Sequence, residues 1–161
     1  MTRHLLNACR HGQDREAREG VLLGAMLAGQ AFANAPVAAV HALAYPLGGR
    51  YHVPHGLSNA LMLIPVLHFN APVAGALYAE LAAAIGLQTG GDVQRDSAAF
   101  IAEMTRLIVA SGAPQRLRDV GVDKAQLPLL ARDAMLQTRL LVNNPVTVNE
   151  GDALRLYQQA F

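Results

Sequence analysis

Charge is scarce in this chain of 161 residues: only 16% are Asp, Glu, Lys or Arg, with 13 basic residues against 12 acidic ones. That near-balance excludes the electrostatic footprint of a nucleic-acid binder and the basic stripe of a membrane-surface protein. Lysine occurs once, at Lys124, and the other basic residues are scattered arginines. One cysteine, Cys9, excludes an internal disulfide and suits a reducing cytoplasm, the expected location. Aromatic residues, at 5%, are too few to suggest stacking on bases. No run alternates apolar and polar residues as a half-buried strand does. No glycine-rich loop joins a strand to a helix, so a phosphate cradle is missing too. The N-terminal residues lack the apolar stretch of a signal peptide. The apolar candidate for a membrane span, Val21 to Gly49, is interrupted by Gln30, Asn34, Pro36 and His41. A membrane is therefore not an expected partner, and neither is nucleic acid.

What is present is 52% hydrophobic residues in helix-forming context, enough for one domain with one core. The punctuation predicts helices throughout. A short first helix ends at Arg10-His11-Gly12, and Asp14 caps a second from about Arg15 to Ala33. Gly20, Gly24 and Ala28 recur every four residues on its face, where another helix can come close. Pro36 fits the first turn of a helix running to about Tyr45, stopped by Pro46 and Gly48-Gly49. Pro54 or His55 opens the next, to about Phe69, and Pro72 to Leu87 forms another. Further helices are expected from Asp92 or Asp96 to Ser111, from Asp123 to Thr138, and from a Thr147-Val-Asn-Glu150 capping box to Ala160. The fold class is all-α.

Two histidines interrupt the apolar pattern. His41 lies in Val40-His41-Ala42-Leu43-Ala44, where a lone histidine reads more readily as a satisfied core residue than as a ligand. His55, fourteen residues on and fixed between Pro54 and Gly56 at a helix start, makes a metal-binding pair the competing reading. A complete site needs three or four protein ligands, and no Asp or Glu lies between Gly20 and Ala79. His52, with Pro54 between it and His55, is better placed as a polar wall at the mouth. His4 and His11 read as a solvated face, and His68 as a cap at a helix end. Cys9 and Ser58 lack the setting of a nucleophile, so no catalytic residue is expected beyond the metal site. Phe32, Asn34, Tyr45 and Tyr51 can wall a pocket.

The stretch from Leu27 through His41-Ala-Leu-Ala-Tyr-Pro-Leu-Gly-Gly-Arg-Tyr-His-Val-Pro-His55 to Leu63 resembles the signature of the iron-containing (group III) alcohol dehydrogenases. The likeness continues through Pro65-Val-Leu-His-Phe-Asn70, returns at Asn143-Asn-Pro-Val-Thr-Val-Asn-Glu-Gly-Asp-Ala-Leu154, and includes Asp14-Arg-Glu-Ala-Arg-Glu-Gly20. The intact Pro54-His55-Gly56-Leu-Ser-Asn run favours these enzymes over glycerol dehydrogenase-like or maleylacetate reductase-like members of the superfamily.

The resemblance implies a multi-helix C-terminal domain of the dehydroquinate synthase-like/iron alcohol dehydrogenase type, lacking the N-terminal α/β nucleotide-binding domain. It implies one domain over 1–161, as a fragment or a truncated member of a two-domain enzyme. By the same resemblance His41 and His55 fall on two metal-ligand positions, for iron(II) or zinc. Phe32, Tyr45 and His52 would line the substrate and nicotinamide pocket. Tyr45 stands where many relatives carry another histidine. The implied chemistry is hydride exchange between an alcohol and NAD or NADP, with the substrate oxygen polarised by metal. Expected partners are a small alcohol or aldehyde and further copies of the chain, and the chain alone is expected to be inactive. The rival expectation is a stand-alone structural or dimerising module with vestigial histidines.

Overall fold

A computed structural model describes every residue from Met1 to Phe161, and all of its regular structure is helical. In chain order the α-helices are α1 (Leu5–Arg10), α2 (Arg15–Asn34), α3 (Ala39–Tyr51), α4 (His55–Ala84), α5 (Val93–Ala110), α6 (Leu127–Met135), α7 (Thr138–Leu141) and α8 (Glu150–Ala160). Two 3-10 turns, Leu117–Val120 and Lys124–Gln126, bridge α5 and α6.

Several predicted boundaries hold for the predicted reason. Asp14 caps α2 by accepting from the Ala17 N–H at 3.0 Å, and Asp92 caps α5 by accepting from Arg95 N–H at 2.9 Å. The close neighbour at the small residues of α2 is not a helix but the residues just before α1: a Cβ on Gly20 would lie 2.5 Å from the His4 ring, and one on Gly24 would meet Met1. His4 is thus half-buried against α2 rather than on a solvated face, whereas His11 is exposed.

Proline is where the structure departs from expectation. Pro36 does not open a helix: α3 begins at Ala39, after an extended link in which the chain bends by 108° between α2 and α3. Pro46 lies inside α3, which continues to Tyr51. The two expected helices from His55 to Leu87 are one helix, α4, with Pro65 and Pro72 in its interior. His68 is accordingly an exposed mid-helix residue and not a cap. The helix expected over Asp123 to Thr138 is a 3-10 turn followed by α6, which stops at Met135. The final capping box is also shifted, formed reciprocally by Asn149 and Asp152.

α4 is long and apolar enough to cross a bilayer, yet it serves as the spine of the fold. Its first half contributes Leu61, Met62 and Val66 to the main core, with Leu43 and Leu47 of α3, Leu130 and Ala134 of α6, and Leu156 and Tyr157 of α8. Its second half packs on α5 in a smaller core, where the rings of Tyr78 and Phe100 lie 5.7 Å apart. A buried amide pair joins the halves to the far end of the chain. Asn70 donates to Asn144 Oδ1 at 2.9 Å, and Asn144 donates back to Asn70 Oδ1 at 2.8 Å.

Candidate metal centre

The link from α3 to α4 sets the site. α3 stops on His52, which takes the left-handed conformation (φ 54°) while the Val53 N–H reaches back to Leu47 O at 3.4 Å. Val53 is buried, and its carbonyl accepts from the Ser58 hydroxyl at 3.2 Å. Pro54, with its extended backbone, then starts α4 with His55 as the first helical residue. The chain reverses over three residues, so the start of α4 returns to the flank of α3.

That reversal brings together three rings. The centroids of His41 and His55 are 5.2 Å apart and tilted by 55°. Tyr45, one turn after His41 on α3, stands 6.5 Å from His41 and 6.0 Å from His55. His41 and Tyr45 are half-buried and His55 is exposed, so the cluster is open on one side. Desolvation by burial, and to a lesser degree the neighbouring His55, hold the His41 imidazole below its ordinary value of 6.5. At neutral pH His41 is therefore uncharged and keeps a lone pair available.

The other two expected pocket residues do not join the ring cluster. His52 is exposed, and its defined part is the left-handed backbone that stops α3. Phe32 lies near the end of α2 with 58% of its surface exposed. The groove among α4, α5 and α8 lined by Ile64, His68, Thr105 and Gln159 holds none of the three rings. No group of three or more His, Cys, Asp or Glu side chains is assembled for a metal ion.

Asn59 is a polar neighbour that the motif reading passed over. Its Nδ2 lies 3.0 Å from His55 Nε2 and donates to the His55 carbonyl at 3.0 Å. The available signal was its spacing, one helical turn after His55.

Known proteins resemble the chain along its whole length. The model of the Fe-containing alcohol dehydrogenase family, C-terminal, matches residues 1–161. Long-chain-alcohol dehydrogenase 1 of Geobacillus thermodenitrificans is 37% identical over the whole chain, which covers 41% of that protein. The 1,3-propanediol dehydrogenase of Klebsiella pneumoniae is also 37% identical over the whole chain, covering 42% of it. Among solved structures, a 1,3-propanediol oxidoreductase superposes with a TM-score of 0.94 at 37% identity, over 99% of this chain and 42% of that one. The chain thus spans about two-fifths of the length of the relatives it matches. With an all-helical fold and a family match along its full length, the chain belongs to the Fe-containing alcohol dehydrogenase family and corresponds to its C-terminal part.

Proposed function

We propose that this chain is the metal-binding helical part of an NAD(P)-dependent alcohol dehydrogenase, an enzyme that interconverts an alcohol with its aldehyde or ketone. The observation that carries the reading is the approach of His41 and His55 from two different helices to 5.2 Å between ring centroids. Two imidazoles at that separation can share one ion with bonds of about 2.0–2.1 Å. Imidazole suits both iron(II) and zinc, and the family description favours iron. The donor set fits as half a site, because the chain assembles no third His, Cys, Asp or Glu against the three or four ligands such sites use.

When bound, the ion would supply Lewis acidity toward an alcohol or carbonyl oxygen. The residues of this chain have narrower tasks. His41, kept neutral by burial, offers a lone pair without first shedding a proton. Tyr45 brings a hydroxyl that both donates and accepts to the edge of the pair. Phe32 and His52 are proposed as the apolar wall and polar mouth of a pocket for substrate and nicotinamide. With two metal-binding histidines and no dinucleotide loop, the chain alone should not oxidise alcohol.

The test is metal content after anaerobic dialysis against iron(II) or zinc, beside a His41→Ala/His55→Ala control. Near-stoichiometric metal that disappears in the control supports the reading, and equal metal in both proteins sinks it.

One observation favours a second reading, a self-associating helical module. α2 buries only Ala17, while Leu22, Leu23, Met26, Leu27 and Phe32 remain exposed on it. Sedimentation that stays monomeric at every concentration would count against that alternative.

A further inference from the structure

We propose that Asn59 is the positioning residue that sets the tautomer of His55 and leaves Nε2 as its lone-pair nitrogen. Asn59 lies one turn after His55 on α4, and its amide spans two atoms of that residue. Nδ2 is 3.0 Å from the His55 backbone oxygen and 3.0 Å from Nε2 of its ring. The backbone oxygen can only accept, so the edge of Asn59 that faces it must be the NH₂. Reversing the amide would set two oxygens against each other at that distance. With one N–H spent on the carbonyl, the other points at Nε2. That nitrogen must therefore accept, and the neutral ring carries its proton on Nδ1.

Asn59 Oδ1 is buried and has no hydrogen-bond donor, an unfavourable state for an acceptor. Reversal would satisfy that oxygen only by facing it against the His55 carbonyl oxygen, so the carbonyl is what sets the orientation. The side chain is thus held by His55, and the His55 ring by it.

The consequence for ligation rests on the reading of His55 as a metal ligand. Asn59 holds the ring in the tautomer whose Nε2 is free of a proton, and it limits ring rotation by gripping ring and backbone together. On ligation it gives up its contact with Nε2 and keeps the one with the carbonyl. The Nδ1–H stays available as the outer donor, the arrangement that fixes metal-bound imidazoles elsewhere.

The test is long-range ¹H–¹⁵N correlation of the imidazole nitrogens in the metal-free chain, about two units above the ordinary imidazole pKa of ~6.5. Native His55 should be protonated on Nδ1. Asn59→Asp keeps the shape but has no N–H to give, so His55 should switch to the Nε2–H form. Asn59→Ala should move it in the same direction. His41 is the internal reference and should hold its tautomer in all three proteins, which a general loosening of the fold would not allow. Native His55 protonated on Nε2, or one unchanged tautomer across the three proteins, overturns the proposal. Because no metal is present, this outcome is separate from the ligand reading, which metal content decides.

Discussion

The buried hydroxyl of Tyr157 donates a 2.6 Å hydrogen bond to the carbonyl oxygen of Leu43, two residues beyond His41. It joins the last helix to α3 beside the histidine pair, and it lies next to the point where Pro46 deprives the Ala42 carbonyl of its helical partner. Burial pushes the Tyr157 phenol far above its usual range, so it stays a donor at every accessible pH. Tyr157→Phe keeps the ring and removes only this bond. Stability should fall by about 1–3 kcal/mol, the cost of a buried hydrogen bond lost with its acceptor left behind. Urea unfolding should show a lower midpoint with an unchanged slope. An unchanged midpoint would mean that α3 is held by apolar packing alone.

Asn70 and Asn144 form another long-range polar tie, and Asn144 also donates to Val146 O at 2.7 Å. Either alanine substitution strands the partner amide in the core and should cost about 1–3 kcal/mol. The double substitution should cost clearly less than the two singles added, since no stranded partner is left. A double-mutant cycle that adds within error would show that the pair is not coupled.

These two ties explain what the sequence could and could not reveal. Caps were legible because they are local: Asp14 and Asp92 sit three residues from the N–H groups they accept. The proline breaks were misplaced because local propensity was outweighed. A proline inside a helix costs about 3 kcal/mol or more, but α4 passes through Pro65 and Pro72 while burying Val66, Leu67, Ala74 and Tyr78. Burial of a side chain such as Val66 or Leu67 contributes roughly 1.5–3 kcal/mol. The tie between Asn70 and Asn144 was not legible, because the two residues lie 74 positions apart. At the site, His41 and His55 stood out as polar residues in an apolar run. His52 also stood out, but for a backbone reason: it ends α3 with a positive φ.

The depressed pKa of His41 makes stability depend on pH, with a definite sign. In the unfolded chain this imidazole protonates near its ordinary value of 6.5, and in the fold it does so only at lower pH. Between those two values the unfolded state binds more protons, so lowering pH favours unfolding. The contribution of neutral His41 is fully present above pH ~6.5 and is lost as pH falls toward its folded pKa. Urea midpoints measured from neutral to mildly acidic pH should decline, and His41→Gln should flatten that decline. A native profile with no slope in this window would contradict the burial argument.

Asp96 is a buried carboxylate that organises a turn away from the histidines. It is 3% exposed and accepts from the backbone N–H groups of Gly90 and Gly91 at 3.1 and 3.0 Å. Gly91 has φ +81°, so the turn depends on a conformation other residues resist. Asp96→Ala should leave two N–H groups without their acceptor and cost about 1–3 kcal/mol. Hydrogen exchange at Gly90 and Gly91 should accelerate well before that of the α4 amides. Uniform acceleration would instead mean that the turn and α4 open together.

Tyr45 offers the sharpest test of whether the ring cluster is a metal centre. It lies one turn from His41 on the same helix face, with its ring 6.5 Å from His41 and 6.0 Å from His55. Two histidines spaced by one helical turn can present nitrogens to a common ion, and a third imidazole facing them from α4 would bring the count to the three that catalytic zinc sites use. Tyr45→His should therefore tighten zinc binding by on the order of tenfold or more, equivalent to about 1.4 kcal/mol. The gain should vanish when His41→Ala or His55→Ala is added, because the remaining pair is no better than the native one. Calorimetric titration of the four proteins reads this directly. If Tyr45→His binds zinc no more tightly than the native chain, the three side chains do not converge on a point that an ion can occupy.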